Sequence, residues 1–473
     1  MSTPIDRASV GLRSERGPVL AALMLSTGLI AIDATILATA VPSIVRDLGS
    51  YQQFPWLFSV YLLAQAVSVP IYSRFADTVG RKPIILLGIA LFLLGSVLCG
   101  LAWSMPALIA FRVVQGLGAG AVAPMSMTIV GDIYTVAERA KVQGYIASVW
   151  AVSSVVGPAL GGVFAQLDAW RWIFLINIPL CLLAAWVLLR RYTEQKQTQR
   201  HRIDYLGAVL LTVGLTGVIL GLLEGGNAWE WLSAPSALCF GAGIAALVLF
   251  ALVERRAPEP IVDLRLVSRR LILTTTLVSL GVGALMIGVT SFAPTYLEGS
   301  LGIVPLLSGL AVAALTLGWP IAAANVGRLY LRIGFRRTTL IGMSIASVAA
   351  IVLASVASWP NPYVLAVIAF VLGFGLGWSA APTLIAAQSS VEWGERGAVT
   401  GMNAFARSAG SAVGVAVFGA ISNAIISQGA GPDDPGTIVH ASVGVFIAVA
   451  LTALLTLLAA SFMPRDRVES YSG

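Results

Sequence analysis

Charge is the scarcest ingredient of this chain. Asp, Glu, Lys and Arg make up 11% of its 473 residues, where water-soluble chains carry about 25%. With 58% hydrophobic residues and a mean hydropathy of +0.88, a soluble surface is excluded. Histidine and cysteine are nearly missing too. The two histidines, His201 and His440, lie far apart, and Cys99, Cys181 and Cys239 each fall inside an apolar run. That pattern offers neither a metal-ligand spacing nor a disulfide framework. The expectation is no metal, and free thiols acting as small hydrophobes. The sequence also lacks a phosphate-binding loop, an intramembrane nucleophile–base pair and a soluble catalytic domain. Both an ATP-driven pump and an enzyme are disfavoured, and no cofactor is expected.

What fills the chain instead is a series of apolar runs of about 20 residues, long enough to cross about 30 Å of hydrocarbon. Fourteen fit: 18–41, 54–73, 83–103, 105–130, 142–166, 172–189, 204–224, 236–254, 271–297, 305–326, 338–357, 363–387, 397–425 and 440–462. The fold class is an all-α polytopic membrane protein. The first run follows a basic start (Arg7, Arg13, Arg16) but lacks a cleavage site, so it reads as a retained helix. With the N-terminus in the cytoplasm, 25 of the 29 basic residues fall on the inner side. Arg46 and Arg171 lie outside, and Arg112 and Arg407 within spans. That bias places both termini on the cytoplasmic side of the cell's inner membrane. It also accounts for the net charge of +7 without nucleic acid as a partner. Trp56, Trp103, Trp170, Trp172, Trp229, Trp231 and Trp359 fall near span ends, as an interfacial belt should.

The chain repeats itself. Ser73 to Lys82 is a charged loop squeezed between apolar runs, and Gly327 to Arg337 is its later relative. Aligned on Gly80 and Gly334, at an offset of 254 residues, the basic residues after each glycine fall in step. Gly116, Gly118 and Gly120, followed by Pro124, match Gly373, Gly375 and Gly377, followed by Pro382. Gly157 and Gly162 match Gly414 and Gly419 at an offset of 257. Two related halves are how many transporters are built. The expected division is six spans in 1–189, two additional spans in 190–270 and six more in 271–473.

These stretches resemble the major facilitator superfamily. The Ser73–Lys82 loop is similar to its G-x-L-x-D-R-x-G-R-K signature, with Ser73 in place of the first glycine and Thr78 in place of the arginine. Leu108 to Gly116 is similar to the fourth-helix R-x-x-Q-G signature, and Gly157 to Gly162 to the fifth-helix G-P-x-x-G-G signature of antiporters. Ile32-Asp33-Ala34-Thr35 through Pro42, and Trp170 through Pro179, resemble patterns of the fourteen-helix drug:proton antiporters. The resemblance implies two six-helix bundles plus two extra central helices. It also implies protons as the coupling ion, a coupling role for Arg112, and a cytoplasmic gate loop at Asp77, Gly80, Arg81 and Lys82. Leu331 stands in the second loop where Asp77 stands in the first, so the second half should lack that latch.

Charges inside spans carry the mechanistic expectations. Asp33 lies well inside the first span, where a carboxylate costs about 2.5–3.5 kcal/mol and usually faces a cavity or a partner. Burial favours its protonated form and a nearby arginine its ionised form, a balance that suits a proton carrier. A permanent bond to helix backbone near a kink is the alternative. Arg112 stays protonated, so it can be a fixed partner but not a carrier; bridging helices is its other reading. Nothing in the sequence places it beside Asp33. Gly157, Gly161 and Gly162 suit close helix approach in lipid, and Pro158 marks a flex point. Trp150, Trp319 and Trp378 lie off the belt and either face lipid, pack between helices or line a substrate cavity with cation–π capacity. Asn403 and Arg407 are further cavity candidates. The role of Asn177 is open, and Glu224 reads as interfacial.

The sequence thus points to a monomeric, proton-coupled antiporter, surrounded by lipid, that exports small amphipathic or lipophilic drugs by alternating access. A lipid or natural-product exporter on the same fold is the alternative within transport. Outside transport, the alternative is a receptor or a channel-like protein.

Overall fold

The computed structural model describes residues 11–134, 136–194, 204–226, 228–257, 260–262, 264–391 and 396–464. In hydrocarbon an apolar run must satisfy its own backbone amides, and a helix does so within one segment. The first half contributes α1 (Gly17–Leu48), α2 (Phe54–Val79), α3 (Arg81–Gly100), α4 (Met105–Ile133), α5 (Val136–Gln166), the short α6 (Trp172–Leu175) and α7 (Asn177–Arg191). Two further helices follow, α8 (Tyr205–Glu224) and α9 (Ala234–Glu254). The second half has the short α10 (Leu264–Val267), then α11 (Arg270–Leu301), α12 (Pro305–Ile333), α13 (Phe335–Val356), α14 (Pro362–Ser389), α15 (Arg396–Ile426) and α16 (Pro435–Ser461). Among the described residues the only β pairing is an isolated bridge between Gly225 and Trp229.

Thirteen helical segments, with α6 and α7 joined as one, are long and apolar enough to cross a membrane. The 26-residue α2 makes a fourteenth long helix, and its stretch from Phe54 to Ile71 carries no charge. The chain is an all-α, multi-pass membrane protein. At the end opposite Gly80, α4, α9, α14 and α16 begin on side-chain caps from Ser104, Ser233, Asn361 and Asp434, each with proline in the first turn. Such caps satisfy amides that the first helical turn leaves open.

The repeat is a repeat of packing. A Cβ on Gly116 would stand 2.5 Å from the Tyr61 carbonyl oxygen, and one on Gly373 would collide with the Leu315 carbonyl. Gly118 abuts the Phe92 amide as Gly375 abuts that of Ala346; Gly120 abuts Ser68 and Gln65 as Gly377 abuts Ala322 and Trp319. Each pair of facing residues is 254 positions apart. Through these glycines α4 lies on α2 and α3 as α14 lies on α12 and α13. The turn glycines match as well, Gly80 at φ 112° and Gly334 at φ 88°, a region where side chains with Cβ are disfavoured.

The largest apolar cluster joins both halves at the Trp170 end, with Val41, Phe54, Phe174, Phe292 and Phe418 among its members. Toward the Gly80 end the halves have separate cores. One contains Leu23, Ile85, Phe92 and Ile129, the other Ile272, Ala387, Val399 and Met402. Among the described residues, the buried apolar packing thus joins the halves at one end and is divided between them at the other. The added helices α8 and α9 pack on each other. A shared apolar cluster seats α8 against α2 and α15 through Leu63, Val67, Leu215, Ile219, Ala412 and Ala416. Trp56 Nε1 fastens it by donating to Glu224 Oε1 at 2.8 Å.

The span expected at 172–189 runs from Trp172 to Arg191, with only Ile176, still in right-handed helical geometry, between α6 and α7. One sequence expectation needs correction. Trp170 is not part of the belt that Trp103, Trp172 and Trp359 form on the surface, but is fully buried. Its Nε1 donates to Asp47 Oδ2 at 3.0 Å. Arg171 also binds Asp47, at 2.8 Å, and lays its guanidinium 4.4 Å over the indole. A tryptophan whose N–H has a partner can be buried, and Asp47 at the end of α1 supplies one.

Candidate functional site

Asp33 and Arg112 meet. Each is 1% exposed, and Arg112 Nη1 donates to Asp33 Oδ2 at 2.8 Å. Gln115, one turn after Arg112 on α4, completes a closed triangle. Its Nε2 donates to Asp33 Oδ1 at 2.8 Å, and its Oε1 accepts from the same Arg112 Nη1 at 2.7 Å. The guanidinium further donates through Nε to the Leu57 carbonyl at 3.2 Å and stacks 4.0 Å over the Tyr61 ring. Ser96 on α3 accepts from Gln115 and from Asn177 on α7, at 2.9 and 3.2 Å. Five helices, α1, α2, α3, α4 and α7, are tied by one polar network inside apolar walls. Removing one charge from such a pair typically costs about 3–5 kcal/mol, because the other is left uncompensated. Gln115 was legible as the Q of R-x-x-Q-G, three residues after Arg112 on one helix face; Ser96 and Tyr61 carry no signal of their own.

At the Gly80 end, Arg81 and Lys82 open α3. Glu194, beyond α7, accepts from the Arg81 and Lys82 amides at 2.5 and 3.1 Å. This carboxylate caps the positive end of α3. Lys82 Nζ donates to the Leu189 and Tyr192 carbonyls at 3.0 and 2.6 Å. Arg81 Nε lies 3.4 Å from Asp132 at the end of α4. Burial, with help from Glu194 and Asp132, holds the Tyr192 phenol above its ordinary pKa. The Asp77 side chain lies outside the described residues. In the second half, Arg336 Nη2 donates to the Ser461 carbonyl at 2.8 Å, and Leu331 is 74% exposed.

The glycines of α5 form a seam. Gly157 and Gly161 press on Thr35 and Thr39 of α1, and a Cβ on Gly162 would stand 2.6 Å from Leu306 Cα of α12. Gly309 of α12 returns the contact, where a Cβ would stand 2.6 Å from the Pro158 carbonyl oxygen. No Cβ fits at these positions without a shift of backbone. A second seam joins α2 and the turn before it to α15, where Ser59 Oγ donates to the Ala412 carbonyl at 3.2 Å and Asn423 Nδ2 to the Gln52 carbonyl at 2.9 Å.

Two of the five cavity candidates share a cavity among the described residues. Asn403 and Arg407 of α15 line one cavity of about 80 Å³ with Ser279 and Val282 of α11, Ala380 and Leu384 of α14, and Thr400 and Ala404. Trp150 is exposed on α5, Trp319 packs against the large apolar cluster, and Trp378 lies 4.9 Å from Phe374. None of these indoles lines that cavity. A carboxylate the sequence reading missed, Glu298, accepts from Ser308 Oγ at 2.5 Å where α11 ends and α12 begins. It falls one residue beyond the expected 271–297 span, so nothing marked it.

Comparison with known proteins agrees with this architecture. The model of the Major Facilitator Superfamily matches residues 23–415. The chain is 31% identical over 410 residues to Multidrug resistance protein 3 of Bacillus subtilis (strain 168), covering 87% of this chain and 80% of that one. It is likewise 31% identical over 414 residues to Multidrug transporter protein MdtP of the same organism, covering 88% and 76%. Among solved structures, a bacterial homolog of the human lysosomal transporter Spinster, in an inward-facing and unoccupied conformation, shares the fold. It aligns with a TM-score of 0.67 at 18% identity, over 95% of this chain and 96% of that one. With its two packed halves, its buried charge network and its glycine seams, the chain belongs to the Major Facilitator Superfamily and is a membrane transporter, not an enzyme.

Proposed function

We propose that this transporter exports small amphipathic or lipophilic drugs from the cell in exchange for protons. The observation that carries the reading is the mid-helix carboxylate of Asp33, buried against Arg112 and Gln115. The names of the two Bacillus relatives supply the substrate class. Asp33 is the proton carrier: ionised, it holds Arg112 and Gln115 together; protonated, it loses the charge that binds the guanidinium. Thr35 and Thr39 lie two and six residues further along α1, within about 9 Å, and press on the α5 seam. A change at Asp33 therefore reaches the contact that closes the Trp170 end.

The two halves, 1–189 and 271–473, rock about that contact, and the linker with α8 and α9 spans 190–270. Apolar packing joined at the Trp170 end and divided at the Gly80 end then corresponds to the state open to the cytoplasm, with both termini on that side of the inner membrane. Asp77, Gly80, Arg81 and Lys82 form the gate loop. The protein works as a monomer in lipid, with protons as coupling ion and no other cofactor. Purified protein in proteoliposomes tests the reading: an imposed pH gradient should drive uphill movement of an amphipathic dye. Uphill movement indifferent to that gradient, or none at all with several dyes, would sink it.

A further inference from the structure

The two arginines within spans have opposite surroundings. Arg112 is saturated by Asp33, Gln115, the Leu57 carbonyl and the Tyr61 ring. Arg407, eleven residues into α15 and so about 17 Å along its axis, is exposed and is one of the residues that line the cavity. Among the described residues, no hydrogen bond or ion pair reaches its guanidinium. Among the described residues, four carboxylates in or at the ends of long helices are engaged elsewhere. Asp33 holds Arg112, Glu224 holds Trp56, Glu298 holds Ser308, and Glu254 accepts from the Val262 amide. An ionised side chain at this depth is expensive unless it faces water or a partner.

The cavity wall is built not to compete for it. Ser279 Oγ donates to Asn403 Oδ1 at 2.6 Å, and Asn403 Nδ2 donates to the Val399 carbonyl at 3.1 Å. These polar groups satisfy one another and leave the guanidinium to a ligand. Val282, Ala380, Leu384 and Ala404 supply an apolar floor. At about 80 Å³ the space suits a headgroup, since a whole drug-sized body asks for about 300 Å³ or more.

We propose that Arg407 is the counter-charge of the substrate, and that the preferred cargo is an amphipathic acid whose carboxylate docks on this guanidinium. A planar fork of N–H donors matches a carboxylate with two parallel bonds, which no single ammonium or amide reproduces. The apolar body of the acid then lies along the floor and on toward the space between the halves. This inference rests on the export reading and names its substrate class.

The test compares three probes on one ring system: naphthalene carboxylate, its methyl ester and naphthyl-trimethylammonium. Binding is measured by calorimetry on the full chain in lipid nanodiscs, with empty discs subtracted. The carboxylate should bind the unmodified protein at least about tenfold more tightly than the ester, equivalent to ~1.4 kcal/mol. Arg407→Gln should erase that preference, and Arg407→Lys, which keeps charge without the fork, should retain part of it. If Arg407→Gln does not fold, the unmodified and lysine proteins decide alone. Absent carboxylate binding, an ester or ammonium that binds as tightly, or a preference that survives Arg407→Gln overturns the proposal. Uphill transport is scored separately in proteoliposomes. Ammonium pumped while the carboxylate fails to bind removes the anion site and leaves the export reading; carboxylate bound with no uphill transport of any probe does the reverse.

Discussion

Lys82 and Arg336, 254 residues apart, make the same contact in the two halves. Each sends its cationic head to a backbone carbonyl at the end of the last helix of its own half, Tyr192 at 2.6 Å and Ser461 at 2.8 Å. A helix C-terminus favours a cation, so one basic residue two positions after each turn glycine ties the third helix of the half to the last. The loop proposed as the gate is therefore also architecture. Its shared part is Lys82 and Arg336; Glu194 and Asp132 serve only the first half.

That division predicts matched losses of stability. Lys82→Ala and Arg336→Ala should each cost about 1 kcal/mol, a charge-assisted hydrogen bond discounted for partial exposure. Thermal unfolding in detergent reads this as similar drops in Tm. A drop for Lys82→Ala alone would assign the contact to gating in the first half.

Gly162→Ala should open the Trp170 end. The added methyl meets Leu306 Cα at 2.6 Å, and overpacking of this kind costs about 1–3 kcal/mol. Because the clash exists only when that end is sealed, the conformational ratio should move about 5- to 150-fold. A cysteine at Ser59, buried in the α2–α15 seam, reports it in a protein lacking Cys99, Cys181 and Cys239. Its labelling by an impermeant maleimide should accelerate at least about fivefold; unchanged labelling would contradict the seam's role as a closing contact.

Asp33 and Arg112 should separate stability from coupling. Asp33→Asn alone strands a buried guanidinium and should destabilise by about 3–5 kcal/mol. Asp33→Leu with Arg112→Met removes both charges, and such replacements are often neutral. The double variant should fold near normally and still show no proton-driven uphill transport. Recovery of that transport along with stability would make the network purely structural.

How much of this was legible in the sequence follows from what each feature depends on. The spans are legible because length and apolarity are local properties. So are the halves, since small residues at a fixed offset record helix contacts made twice, Gly118 on Phe92 and Gly375 on Ala346. The triangle of Asp33, Arg112 and Gln115 was not, because helices distant in sequence must pack before those groups meet. Trp170 misled for a related reason: a span-end indole is usually interfacial, and only Asp47, 123 residues away, turns it inward. The solitude of Arg407 among the described residues is likewise a tertiary fact, invisible until α11 and α14 are seen to bring no acid to the cavity it lines.

Cargo charge should set the response to voltage. With one proton entering per cycle through Asp33, export of a monovalent cation moves no net charge. A neutral compound leaves one positive charge moving inward, helped by about 2.3 kcal/mol per 100 mV of inside-negative potential. An exported monovalent anion adds a second, so the help doubles to about 4.6 kcal/mol per 100 mV. Vesicles with potential and pH gradient imposed separately distinguish the three. Equal voltage dependence for carboxylate and ammonium probes would contradict one-proton exchange.

The seat of α8 makes the molecule one-sided toward its solvent. Two seams join the halves, and helix α8 lies over the α2–α15 seam, clamped by Trp56 and Glu224 and by Leu63, Val67 and Ala412. No added helix lies over the α5–α12 seam among the described residues. One flank thus meets lipid through the bare α5–α12 seam, and the other is shuttered by α8.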